Sequence, residues 1–286
     1  MQVAQSVQIK VAEINVPKLL TTEQVRAYQA EGYVFPVRVF SAAQAAEYRT
    51  ECDGLETLLG GRPKTVEVRQ MHQHFVWAYR LITEPLLLDA VEELLGENLL
   101  VSATELFAKH PRNAAVSIAW HRDGVYMGLD PARTVTAWVA LSRSISMNGG
   151  MQVVREADRI AAASAASSCR QSQGKVPHVL PPGEIISVEL EPGEMSLHDV
   201  HVLHGSGGND SDEKRVGFAI RFTTPATRPT LARPPAMLVR GRDDYGHFEL
   251  IDPPVADNPE QALPALRTSA RMHLEGTLQT LKQLAR

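Results

Sequence analysis

The stretch RVGFAIRF, residues 215–222, decides the fold. Its side chains alternate strictly: Val216, Phe218, Ile220 and Phe222 are bulky and apolar, while Arg215, Gly217, Ala219 and Arg221 interleave with them. A period of two is the signature of a β-strand, whose successive side chains leave on opposite faces. One face therefore belongs to a core. The other carries two guanidinium groups separated by the smallest residues, which leaves room for something anionic, and arginine grips a carboxylate with two parallel hydrogen bonds.

Working outward, the neighbouring segments read the same way. LLVSATELFAKHP, VSIAWHRDGVYMG, TVTAWVALS, GGMQVVRE and EIISVELEPGEMSLHDVHVLHGSG are short, strand-like and divided by Pro, Gly, Asn and Asp. The first hundred residues differ. Thr21-Thr22-Glu23-Gln24 and Ser41-Ala42-Ala43-Gln44 are capping-box signatures ahead of helical stretches, GYVFPVRVF between them reads as a short strand, and TEPLLLDAVEELLGEN has helical spacing ended by Gly96. Helix returns from Asn258 onward. Helices first and strands clustered later predict an α+β fold with a sandwich or barrel core. We read the chain as one domain over 1–286, with a helix-rich part to about 98, a β-core over about 99–226, and a C-terminal lid and helix segment over about 227–286. Residues 155–183, rich in Ala and Ser, read as a long loop.

Composition excludes several classes. The formal charge of −4 gives no basic surface for nucleic acid, and the chain shows neither a secretory leader pattern nor a run of transmembrane length. Cys52 and Cys169 are its two cysteines, far apart, and read as reduced thiols. The expectation is a cytoplasmic enzyme acting on a small molecule, with no membrane or nucleic-acid partner.

AWHRDGVYMG, residues 119–128, carries the chemistry. His121 and Asp123 lie two positions apart, so on a strand both would project from one face. With a third residue from a distant strand they would form the two-histidine, one-carboxylate set that holds non-heme Fe(II). Candidates for the third are His198, His201 and His204. The same donor set would also serve a zinc hydrolase, with its open position activating water.

WHRD at 120–123, AWVALS at 137–142, NGGMQVV at 148–154, GEMSLHDVHVLHGSGGNDSDEKRVGFAIRFTTP at 193–225 and LVRGRDDYGHFEL at 238–250 together resemble the phytanoyl-CoA dioxygenase family of Fe(II)/2-oxoglutarate-dependent oxygenases. The resemblance covers roughly residues 20–255. It implies a double-stranded β-helix, a jelly-roll or cupin-like core with flanking helices. It implies Fe(II), 2-oxoglutarate and O2 as cofactor and co-substrates, and hydroxylation of an amino acid, phosphonate or natural-product scaffold with release of succinate and CO2. By the same resemblance His121, Asp123 and His204 are the metal ligands. His204 is preferred because it precedes Gly205-Ser206 and lies eleven positions before Arg215; His201 and then His198 stand behind it. Arg215 resembles the partner of the distal carboxylate of 2-oxoglutarate, Ser206 its hydroxyl partner, and Trp138 a tryptophan of that pocket. Tyr126, His72, Glu105 and Arg221 are the candidate substrate contacts, with Phe107 or Glu105 near the cofactor. Related halogenases replace the carboxylate ligand by a small residue, and Asp123 is intact, which favours hydroxylation, or another oxygenase outcome such as desaturation, over chlorination. One departure stands out: family members often carry Pro-Gly-Ser-His after the NG-containing strand, where this chain reads Arg155-Glu156-Ala157-Asp158.

Overall fold

The structure is a computed structural model, described over residues 19–63, 68–130, 133–155, 183–230, 233–256 and 259–284. In chain order the elements are α1 (Thr22–Glu31), β1 (Tyr33–Arg38), α2 (Ala42–Leu58), α3 (Val76–Ile82), α4 (Pro85–Leu95), β2 (Leu99–Lys109), β3 (Ile118–His121), α5 (Gly124–Met127), β4 (Leu129–Asp130), β5 (Thr134–Ala140), β6 (Met151–Arg155), β7 (Glu184–Ser187), β8 (Glu194–Asp199), β9 (His204–Ser206), β10 (Arg215–Thr223), β11 (Arg228–Pro229), β12 (Pro235–Arg240), β13 (Glu249–Leu250) and α6 (Pro259–Leu284). Almost all of the long loop expected at 155–183, with Cys169, lies outside the described residues.

Both capping boxes form. In α2 the Ser41 hydroxyl accepts from the Gln44 backbone N–H at 3.2 Å, and the Gln44 carboxamide oxygen accepts from the Ser41 N–H at 3.0 Å. Each bond satisfies a donor that helix geometry would leave empty. Ser41→Ala should therefore destabilise the protein by about 1 kcal/mol, read as a lower denaturant midpoint at unchanged slope.

The strands form a seven-stranded sheet in the order β1-β8-β5-β10-β2-β12-β13 and a four-stranded sheet in the order β3-β9-β6-β7, with β4 and β11 paired separately. In the larger sheet β8, β5, β10 and β2 run antiparallel to their neighbours. Alternation along β10 sorts the two sides. Val216, Phe218, Ile220 and Phe222 join the large core that includes Leu55 of α2, Trp77 of α3, Val91 of α4 and Leu266 of α6. Ala219, by contrast, belongs with Trp138 and Ala140 of β5 and with Met151 and Val153 of β6 in a second cluster. Because that cluster draws on both sheets, it marks the interior between them, and the Arg/Gly/Ala face of β10 looks into that interior. This is the double-stranded β-helix: two sheets closing on one cavity, with helices covering the outside of the larger one. Among the described residues no helix is long and apolar enough to cross a membrane.

Candidate active site

His121 ends β3, and Asp123 does not share its strand. Asp123 has helical backbone angles (φ −61°, ψ −37°) and caps the short helix α5, which closes at Gly128 in a left-handed conformation. The single strand expected to carry both residues is thus a strand end followed by a helical turn. The two side chains converge all the same, with His121 Nε2 3.7 Å from Asp123 Oδ1.

The smaller sheet delivers the third group. β3 pairs with β9 so that His121 faces His204, and their ring centroids lie 4.2 Å apart. One ligand atom from each of His121, Asp123 and His204 falls within 4.8 Å of the others, the single such group among the described residues. Neither rival histidine joins it. Backbone bonds orient the rings: His121 Nδ1 donates to the Ala119 carbonyl at 2.9 Å, and His204 Nδ1 donates to the Val202 carbonyl at 3.0 Å. Each bond places the proton on Nδ1 and leaves Nε2 as the nitrogen that can bind a metal. Burial, and then His121 and His198 nearby, hold the His204 imidazole well below its ordinary pKa, hence neutral.

Asp123 is 4 % exposed. Burial pushes its carboxyl up, but Arg221 and the surrounding imidazoles more than reverse this and hold it below the usual carboxylate range. Thr136 Oγ1 donates to Oδ2 at 3.1 Å, and Arg221 approaches Oδ1 at 3.5 Å. Arg221 also reaches Glu105 at 3.5 Å, and Glu105 accepts from Arg69 at 3.1 Å. Thus Arg221 and Glu105, both candidates from the sequence, stand at the donor set; Thr136 and Arg69 were not singled out. Two nitrogens and one carboxylate oxygen, converging, suit a divalent metal with positions left open for other ligands.

A second polar cluster lies further along β10. Register sets Arg215 beside Lys109 of β2. The Arg215 guanidinium is 2 % exposed, donates to the Gly149 carbonyl at 2.6 Å, and lies 5.2 Å from the centre of the Trp138 ring. Lys109 Nζ donates to Ser206 Oγ at 2.7 Å and also to the Gly207 carbonyl. Neither cation has an acidic partner among the described residues. Burial, with Arg215 adjacent, pushes the Lys109 ammonium down to about 7; burial pushes Arg215 down to about 10. Two buried cations, a hydroxyl and an indole wall make a receptor for a carboxylate. Lys109 shares its strand face with Glu105 and Phe107, but its role depends on Ser206, 97 residues away.

The remaining candidates fall differently. His72 Nδ1 bonds Thr104 Oγ1 at 2.9 Å; Thr104 pairs with Ile220, on the helix side of the sheet, so His72 is not placed with the donor set. Burial lowers its pKa to about 3. Phe107 packs partly buried against the interior cluster. The backbone of Tyr126 runs through α5, and its side chain lies outside what the structure describes.

Comparison with known proteins shows what the chain is similar to. The family model described as phytanoyl-CoA dioxygenase (PhyH) matches residues 14–217. A probable alpha-ketoglutarate-dependent hypophosphite dioxygenase of Stutzerimonas stutzeri is 23 % identical over 254 residues, covering 80 % of this chain and 84 % of that protein. The apo structure of the non-heme monooxygenase ThoJ superposes with a TM-score of 0.75 at 30 % identity, covering 91 % of this chain and 99 % of that one. CytC3 with Fe(II) and alpha-ketoglutarate, at 19 % identity, shares the fold with a TM-score of 0.61 over 82 % of this chain and 94 % of that one.

Proposed function

Because the chain belongs to the phytanoyl-CoA dioxygenase family and is an Fe(II)- and 2-oxoglutarate-dependent dioxygenase, we propose that it hydroxylates a small-molecule substrate, with His121, Asp123 and His204 as the iron ligands. The observation that carries this is the convergence of those three side chains within 4.8 Å, with Lys109 and Arg215 paired on the interior face of the larger sheet. The residues fit the metal: both imidazoles present Nε2, and the one carboxylate is ionised.

Each side chain then has a task. Arg215 and Lys109 bind the distal carboxylate of 2-oxoglutarate, Ser206 shares the Lys109 ammonium with it, and Trp138 walls the channel between the two ends. Thr136 and Arg221 hold the Asp123 carboxylate at its angle, and Glu105 with Arg69 fixes Arg221 in turn. Iron bound there supplies the coupling of 2-oxoglutarate decarboxylation to dioxygen reduction, so that R–H, 2-oxoglutarate and O2 become R–OH, succinate and CO2. The protein's part is to position these groups and to keep bulk water from the charged pocket. An intact Asp123 leaves the carboxylate ligand in place and favours oxygen transfer. A zinc hydrolase would give the buried Lys109–Arg215 pair no task.

The test is an anaerobic optical titration with Fe(II), then 2-oxoglutarate. A weak visible charge-transfer band that needs both additions is expected, followed by substrate-dependent succinate release. Tight Zn(II) binding that 2-oxoglutarate leaves unchanged, with no band, overturns the reading.

Lys109 gives the pocket a pH dependence. Below about pH 7 its ammonium is charged and adds to Arg215; as pH rises through and above 7 the free protein loses that charge. A dianion binds the charged form better, so 2-oxoglutarate affinity should fall with rising pH, the fall displaced somewhat upward because the ligand holds the proton on. Lys109→Met should weaken binding about tenfold at pH 6.5 and flatten the profile between about pH 6 and 8.5. An unchanged profile in the variant would assign the dependence to another group.

A further inference from the structure

Alternation along β8 leaves two polar side chains without partners. Met195 and Leu197 join the helix-side core, so Ser196 and His198 point into the barrel, one rung apart. Register sets Ser196 beside Trp138 and His198 beside Thr136. These neighbours are the indole that walls the pocket and the hydroxyl that holds Asp123. Ser196 and His198 are each 1 % exposed, and the His198 ring centroid lies 4.8 Å from that of His204. Among the described residues, Ser196 Oγ, His198 Nδ1 and His198 Nε2 have no hydrogen-bond partner. His198 is also outside the ligand group.

Buried donors and acceptors are rarely left empty, and three of them clustered on one wall imply a ligand that completes them. The placement of the charged groups identifies it. A dicarboxylate gripped at Lys109 and Arg215 must pass Trp138 to reach the three converging ligands, and there it presents its keto-acid oxygens. On the β10 side of Thr136 the charged groups are already engaged, Arg221 with Asp123 and Glu105, and Glu105 with Arg69. Thr134 Oγ1, further along β5, and Arg215 Nε also have no partner among the described residues, but directly beside Trp138 and Thr136 the unpartnered atoms are those of β8. We infer that Ser196 and His198 form the hydrogen-bonding wall for the keto-acid end of 2-oxoglutarate, each donating to one of its oxygens. The inference rests on the 2-oxoglutarate reading of the pocket.

The experiment measures two affinities on the full chain: metal binding, and anaerobic 2-oxoglutarate binding to the Fe(II)-loaded protein, for wild type, Ser196→Ala, His198→Phe and His198→Gln. His198→Phe should raise the 2-oxoglutarate Kd about tenfold and Ser196→Ala about threefold, the scale of one lost hydrogen bond. Metal affinity should stay within about twofold, and His198→Gln, which keeps a donor, should recover part of the loss. The same losses should appear with N-oxalylglycine, which carries an equivalent chelating end. Unchanged 2-oxoglutarate affinity in the folded variants overturns the inference and leaves these atoms to water or substrate. Loss of metal affinity in step with 2-oxoglutarate overturns it too, because His198 would then act by positioning His204. Ser196→Ala, which removes one oxygen, keeps the test decisive if His198→Phe does not fold. A wild-type protein that binds Fe(II) but not 2-oxoglutarate brings down the parent reading, and this one with it.

Discussion

Asp123→Asn is expected to abolish iron-dependent turnover and to weaken Fe(II) binding by more than about a hundredfold, the range already reached when an outer-shell partner of a metal site is lost. The substitution keeps size and shape and removes one charge. Two consequences follow from the surroundings. The metal loses the anionic donor of its three-residue group. Arg221, buried between Asp123 and Glu105, keeps only Glu105 to balance it, so stability should also fall, by about 1–3 kcal/mol. The sign of the pH dependence follows from the direction of the shift. A carboxyl held below its ordinary value in the folded protein contributes stability that is complete above the unfolded value near 4 and is lost as pH falls below it. Wild type should therefore keep this contribution through mildly acid conditions, while the Asn variant lacks it at every pH. Calorimetric metal titration and denaturant unfolding read the two effects separately. Full metal affinity and turnover in Asp123→Asn would falsify the ligand assignment.

Much of this was legible before any coordinates, for reasons that differ by residue. The alternation in β10 and the capping boxes of α1 and α2 are local, so they could be read from neighbours alone. Which face of β10 is interior is not local: both are buried, and only pairing with β5 and β2 shows that Arg215 and Arg221 look inward. The His121–Asp123 spacing suggested one strand, but the chain turns into α5 after His121, because a helical turn also brings nearby residues together. Among the three histidines the break between β8 and β9 decides. His198 lies inside β8, one residue before its end, His201 lies in the turn with its N–H held by Asp199, and His204 opens β9 opposite His121. The structure sets His72 against Thr104 on the helix side of the sheet, because a polar residue near the barrel can serve its outer face as well as its cavity. Thr136, Arg69 and Lys109 were missed as site residues for one shared reason: each acts through a partner from a distant part of the chain, which composition and spacing do not reveal.

Gly217→Ala should cost the pocket its wall. A Cβ at Gly217 would lie 2.0 Å from Trp138 Cζ2 and 2.3 Å from Cη2, well inside contact distance. The obstacle is space alone, since no left-handed backbone is involved at this position. Trp138 cannot simply yield, because it is 6 % exposed, its ring lies 5.2 Å from the Arg215 guanidinium carbon, and Ala219 and Ser196 flank it in register. Tilting the indole withdraws it from Arg215 and drives it into the channel that the co-substrate must occupy. Overpacking of this kind costs about 1–3 kcal/mol in stability, and 2-oxoglutarate affinity should fall by about tenfold or more. The mechanism has a specific signature. Trp138→Phe removes the benzo-ring atoms that clash, so Gly217→Ala should be nearly neutral in that background although it is damaging in the wild type. A double-mutant cycle on 2-oxoglutarate affinity and on stability measures that coupling directly. Equal damage in both backgrounds would show that Gly217 is required by something other than Trp138, and would remove the packing argument for the pocket wall.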